Sequence, residues 1–175
     1  ALNQTDDLMC YGDPLGEKAL RAALQQYCHE FRGLSRPVDH YIIGAGFQIL
    51  LYHICSLFKK DNLVGIEEGG FKQAEAVFHD CHMQVVKLPV DDQGITIEGL
   101  QRTNLKLLYL NSSSGGYHGH PIKQQRRLEI INYARANNVY IIEDDHNGEL
   151  KFNSKPIDAM SKLDNDRIFY IGSFS

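Results

Sequence analysis

From residue 63 onward the chain repeats one pattern. Short, almost continuously apolar runs (63–66, 84–88, 105–110, 139–142 and 167–171) alternate with segments whose apolar residues fall at helical spacing. A strand that is apolar on both sides must be covered on both faces, and helices in the connections supply that cover. A further strand is predicted at 39–43, before Gly44-Ala45-Gly46. Helices are predicted at 47–58, 71–81, 97–101 and 123–137, after a first one carrying Leu20, Leu24, Tyr27, Cys28 and Phe31 and stopping at Gly33. The fold class this implies is α/β: a three-layer αβα domain on a mostly parallel sheet over residues 11–175, with 1–10 as an N-terminal arm. Crossovers are right-handed, so the functional loops gather at the C-terminal ends of the strands.

Composition excludes several classes. A net charge of −4 over 175 residues supplies no basic face for nucleic acid, and 43% hydrophobic residues exclude disorder. No apolar run reaches the roughly 18 residues of a membrane span. Cys10, Cys28, Cys55 and Cys81 lie far apart, without the spacing of a zinc knuckle or disulfide framework, which fits a reducing cytoplasm. Cys28 and Cys55 fall on helical stripes as small hydrophobes. The Arg126-Arg127 pair reads as a solvated helix face.

The chemistry concentrates at strand ends. Gly44-Ala45-Gly46 lets backbone amides at a helix start approach a phosphate, or simply makes a tight turn. Glu143-Asp144-Asp145-His146 can hold Mg²⁺, act as a base, pair with a cationic ring nitrogen, or cap a turn. Adjacent aspartates on a strand face opposite ways, so only one addresses a given ligand. Ser173 and Ser175 share one side and suit a phosphate or a helix cap. His79 and His82 sit at a helix end, and His118 and His120 in a glycine-rich loop. The helix end explains the first pair as solvated histidines and the second has no third ligand of suitable spacing, so no metal site is expected.

In this order the motifs resemble the large domain of fold-type I pyridoxal-phosphate (PLP) enzymes, the aspartate-aminotransferase superfamily. The closest likeness is to the aminotransferase-like domain of MocR-type regulators, a branch of the GntR transcription factors. Tyr11-Gly12-Asp13-Pro14-Leu15-Gly16 is similar to the family's YGDPxG, and Ile43-Gly44-Ala45-Gly46-Phe47-Gln48 stands where the family has TSGAQQ. Glu67-Glu68-Gly69-Gly70-Phe71 resembles EEPGY. Ile142-Glu143-Asp144-Asp145 with Gly148-Glu149-Leu150 resembles EDDYDSEF, and residues 170–175 resemble YxGTFSK without its last residue.

The resemblance implies roles residue by residue. Backbone amides of Ala45 and Gly46 would take the PLP phosphate, with Ser173 and Ser175 adding hydroxyls. Phe71 would stack on the ring, in place of the usual Tyr, and Asp144 would pair with the ring nitrogen. His146 or Asn147 stands where a Tyr would donate to the phenolate oxygen. Tyr11 would reach a neighbouring subunit's phosphate in a homodimer. The Schiff-base lysine would follow Ser175, so the chain holds no catalytic residue and is expected to be inactive by itself. Loop 112–119, SSSGGYHG, replaces the family's PSHQYPTG.

The function implied is a cytoplasmic, PLP-binding, effector-sensing domain of a bacterial transcriptional regulator. Its effector would be a small amino compound, and it would meet DNA only through a separate N-terminal domain. The alternatives are a fragment of a free aminotransferase acting on an amino acid and a 2-oxo acid, and a scaffold that no longer binds PLP. Apolar patches are expected where the family's small domain would cover this one.

Overall fold

The computed structural model describes residues 11–113, 121–146, 148, 158–164 and 166–173. Helix α1 (Lys18–Arg32) is followed by a 3-10 turn (Val38–His40), α2 (Phe47–Ser56), β1 (Leu63–Glu67), α3 (Lys72–Asp80) and β2 (Gln84–Leu88). Next come a hairpin of β3 (Val90–Asp91) and β4 (Gly94–Ile95), then α4 (Ile97–Gln101), β5 (Leu107–Asn111) and α5 (Gln124–Asn137). The order closes with β6 (Tyr140–Asp144), a second 3-10 turn (Met160–Lys162) and β7 (Ile168–Ile171). The arm, residues 114–120 with His118 and His120, Asn147, Glu149, Leu150, Phe174 and Ser175 lie outside the described residues.

Five strands form one parallel sheet in the order β2-β1-β5-β6-β7. The αβα architecture follows. Helices α2 and α3 cover one face through Leu51, Cys55, Ala74, Val77 and Phe78, packed on Val64, Leu107, Tyr109 and Ile142. Helices α4 and α5 cover the other through Leu100, Ile130, Ile131 and Ala134, packed on Leu108, Leu110 and Ile141. Each buried Val, Leu, Ile or Phe among them contributes about 1.5–3 kcal/mol by leaving water. The chain runs outward from β1 to β2, then returns to the opposite side of β1 with β5. The sheet therefore has its switch point between β1 and β5, where ligand crevices open in doubly wound sheets.

Local chemistry explains the helix ends. Gly33 stops α1 in the left-handed region at φ 69°, donating to the Cys28 carbonyl. Asn138 does the same for α5 at φ 57°. In the Tyr11–Gly16 turn, Asp13 accepts from the Leu15 N–H at 2.8 Å and pairs with buried Arg21 of α1 at 2.6 Å. Gly16, at φ 94°, is pressed against Ile43, where a Cβ would sit 2.7 Å from the Ile43 side chain.

Four expectations are corrected. Residues 39–43 are not a sheet strand. The 3-10 turn takes the Tyr41 N–H onto the Val38 carbonyl, and the Ile43 N–H donates to the Leu15 carbonyl, so local and turn contacts consume the donors. The hairpin 90–95 was not predicted, because two-residue strands carry no alternation to read. Of the apolar stripe on the first helix only Cys28 is buried. Leu20 and Phe31 are exposed, and its buried positions are Arg21, Cys28 and Arg32. Ile42, Ile49 and Leu57 are exposed as well.

The fourth correction concerns Arg126 and Arg127, which are buried, not solvated. Arg126 holds the hairpin, donating to the Ile95 carbonyl at 2.5 Å and pairing with Asp91 at 2.9 Å. Arg127 donates to three carbonyls, Ile122 at 2.8 Å, Asp158 at 2.7 Å and Ser112 at 2.7 Å. Loop ends arriving at a parallel sheet leave carbonyls without partners, and a guanidinium satisfies several at once. Arg127→Met should cost about 3–5 kcal/mol in urea unfolding, the scale of breaking a buried charge network. Leu128→Ala, on the exposed side of the same helix, should cost under about 0.5 kcal/mol.

Candidate functional site

The acidic run closes β6 with all three carboxylates out of water, and alternation sends them to different partners. Glu143 is fully buried on the α5 side. It accepts from Ser112 Oγ at 2.6 Å and from the backbone N–H groups of Met160 at 2.7 Å and Ser161 at 2.8 Å. Burial nonetheless holds its pKa above the ordinary carboxylate value. Asp145 forms an ion pair with Arg32 and accepts from the Tyr170 hydroxyl at 2.8 Å.

Asp144 lies on the α2/α3 side, in register with Asn111 of β5 and Ile171 of β7. The buried Tyr109 hydroxyl donates to its Oδ2. Burial raises the Asp144 pKa, while the Tyr109 bond and the charge of His146 pull it back toward ionisation. This buried carboxylate is held by the Tyr109 hydroxyl and the His146 backbone N–H and, in contrast to Asp145, has no side-chain ion pair among the described residues.

Aromatic contacts connect Asp144 to the other candidates. Tyr109 meets Phe47 edge-on at 6.2 Å between centroids, and Phe47 meets Phe71 at 5.5 Å. Phe71, just before α3, is 42% exposed, so a ring face remains accessible. Phe47 opens α2 directly after Gly46, which stands at φ 104° with nothing within 4 Å of where a Cβ would sit. Ala45 and Gly46 are exposed at that helix start. Gly44, Gly46, Phe47 and Ser173 also border a cleft of about 770 Å³ that runs along β7 toward α1. Phe71 and Asp144 are not among the residues lining it. The cleft therefore meets the candidate site only at the Gly46–Ser173 corner.

The structure thus links Gly46, Phe71 and Asp144 through Phe47 and Tyr109, and places Ser173 on the same cleft as Gly46. His146 is exposed and follows the acids, with its carbonyl accepting from Ser113 Oγ at 3.3 Å. Tyr11 is fully exposed and stands apart from this group. Ser175 lies outside the described residues. Sequence reasoning missed Tyr109, Arg32 and Tyr170. The signal available for Tyr109 was a polar-tipped aromatic within the otherwise apolar stretch 107–110. His79, 3.9 Å from Glu75, is a helix-end histidine, and among the described residues no cluster of three or more His, Cys, Asp or Glu could hold a metal ion.

A raised folded-state pKa means that the native state binds more protons than the unfolded chain. The Asp144 contribution is therefore fully present below its unfolded value of about 4, and it is lost as pH rises through the folded value. Measured against Asp144→Asn, which does not titrate, the wild type should lose stability over that window in urea unfolding at successive pH values. Tyr109→Phe removes the donor that favours the ionised form, so it should move the window to higher pH. It should also lower stability by about 1–3 kcal/mol at neutral pH.

No protein-family model matches the chain. The HTH-type transcriptional regulator YdeL of Bacillus subtilis (strain 168) is 34% identical over 165 residues, which are 94% of this chain and 36% of that protein. The probable rhizopine catabolism regulatory protein MocR of Rhizobium meliloti is 27% identical over 172 residues, 97% of this chain and 35% of that protein. Among solved structures, the kynurenine aminotransferase of Pyrococcus horikoshii, in complex with PMP, matches with a TM-score of 0.87 at 25% identity. That match covers 98% of this chain and 45% of the aminotransferase. The chain spans about a third of the length of the two regulators. Among the described residues no helix is long and apolar enough to cross a membrane. By sequence the chain is similar to part of HTH-type transcriptional regulators, and its fold is that of part of an aminotransferase.

Proposed function

We propose that this chain is the PLP-binding, effector-sensing part of a bacterial transcriptional regulator. The observation that carries the reading is Asp144, a buried carboxylate with a tyrosine donor and no cationic partner among the described residues. A protonated pyridine nitrogen is the kind of cation that such a group accepts, and holding it protonated keeps the ring electron-poor. When bound, PLP supplies an electron sink for chemistry at an amino compound.

The surrounding residues fit the rest of that cofactor. Phe71 offers an accessible ring face on the Phe47–Tyr109 side of Asp144. Gly46 leaves open space at the start of α2, where backbone N–H groups and the helix dipole favour a phosphate, and the Ser173 hydroxyl borders the same corner. His146 stands next to Asp144 as a hydrogen-bonding side chain. The effector is a small amino compound, and DNA is met through a separate domain of the regulator. The protein works as a homodimer in the cytoplasm. Higher identity to the regulators than to the aminotransferase favours sensing over free amino-group transfer.

Calorimetric titration of the 175-residue chain with PLP, and with pyridoxine 5′-phosphate as the non-aldehyde control, tests this. Saturable binding of both is expected, weakened at least about tenfold by Asp144→Asn, equivalent to about 1.4 kcal/mol. The cation must meet an ionised carboxylate. Affinity should therefore rise with pH through the Asp144 titration and fall again once the ring nitrogen loses its proton. A wild type that binds neither compound would overturn the reading and favour the scaffold that has lost its cofactor.

A further inference from the structure

The acidic run contains a second buried carboxylate that the proposed cofactor does not address. Asp145 has a fully buried side chain, and so, to within 1%, has its ion-pair partner Arg32. The Tyr170 hydroxyl donates to the same oxygen, Oδ2, and the Asp145 N–H donates to the Ile171 carbonyl at 2.9 Å. The other oxygen, Oδ1, accepts no hydrogen bond among the described residues. Gly148 closes over the pair: a Cβ there would fall 2.0 Å from Oδ1 and 2.6 Å from Arg32 Nη2. Glycine at 148 is thus demanded by the packing of the ion pair.

The placement of the partners gives this pair a consequence beyond stability. Arg32 is the last residue of α1, while Asp145 is one peptide bond from Asp144 and Tyr170 is on β7. The apolar attachment of α1 is small, centred on Cys28 with Leu34 and Ala159. Two arginines dominate its buried face, Arg21 toward the Asp13 turn and Arg32 toward Asp145. A buried ion pair cannot slide without exposing an unpaired charge in a dry site, so the end of α1 and the end of β6 move together.

We propose that Asp145 is a positioning residue, clamped by Arg32 and Tyr170, that orients the Asp144 carboxylate and ties helix α1 to the cofactor site. The proposal rests on the reading of Asp144 as the carboxylate that meets the ring nitrogen. It adds the route by which occupancy of that site is felt at α1. The groups facing Asp144 are Tyr109 from β5, with Asp145 and His146 on its own segment.

The test uses the ligand-free 175-residue chain and two measurements, amide hydrogen exchange and carbon-detected titration of the Asp144 carboxyl. Asp145→Asn should speed exchange about tenfold in both α1 and residues 140–145, while β2 keeps its rate. The same variant should move the Asp144 titration to lower pH, because a neighbouring negative charge is gone and the Arg32 charge is no longer balanced by Asp145. Arg32→Lys, which keeps the charge, should leave that titration near the wild-type position.

Faster exchange confined to α1 with Asp144 titrating as in the wild type would mean a plain helix anchor and would overturn the proposal. If Asp145→Asn does not fold, Tyr170→Phe decides, since it removes the hydroxyl that bonds Asp145 and Arg32 and keeps the ion pair. A few-fold faster exchange in both segments supports the clamp, and a change in one or neither overturns it. Neither measurement involves PLP. A chain that binds no cofactor would sink the functional reading without deciding this one.

Discussion

Burial of Glu143, Asp144 and Asp145 in succession at the end of β6 sets the terms for everything around them. A carboxylate taken out of water costs several kcal/mol unless it is paired and hydrogen-bonded, so each of the three needs its own answer. Glu143 is met by a hydroxyl and two backbone amides, which fixes the 3-10 turn at 160–162 against the sheet. Asp145 is met by Arg32 and Tyr170, which brings in the end of α1 and the edge strand β7. Among the described residues Asp144 receives Tyr109 as its side-chain donor. The segment is therefore held by an ion pair or multiple donors at Glu143 and Asp145, while Asp144 connects through Tyr109 and Phe47 to the accessible aromatic Phe71.

The parallel sheet was legible because its strands are apolar on both faces, a pattern that admits few other folds. Ends of elements were legible where one residue type carries the geometry, as Gly33 does at φ 69°. The failures share a physical cause. Residues 39–43 have strand-like composition, but composition does not say which carbonyl the Ile43 N–H will find, and it finds Leu15. Arg126 and Arg127 look solvated because charge usually means water. Their burial depends on carbonyls of Ile95, Ile122, Ser112 and Asp158 that only the folded connections bring together.

The candidate site was legible as a set of strand ends and not as a set of contacts. Glycines, acids and serines at the right places in the order gave Gly46, Phe71, Asp144 and Ser173. What joins them is Phe47 and Tyr109, which read as ordinary core aromatics from the sequence. Phe47 touches both Phe71 and Tyr109, so one side chain on α2 links the loop after β1 to the carboxylate on β6. Phe71 follows β1 and Tyr109 lies on β5, so two of these side chains come from the chain segments on either side of the switch point.

The attachment of α1 follows from the same charges. Its apolar residues Leu20 and Phe31 face solvent, while Arg21 and Arg32 are buried to 3% and 1% exposure. A helix held by apolar area can shift by an ångström and keep most of its stabilisation, because that term is non-directional. A helix held by two buried guanidiniums cannot, because each hydrogen bond has a direction and each unpaired charge a penalty. The position of α1 is therefore set by charge balance at the two arginines more than by packing. One of those arginines answers to the residue beside Asp144, so a change of charge at the candidate site and a change in the seating of α1 are two views of one electrostatic arrangement.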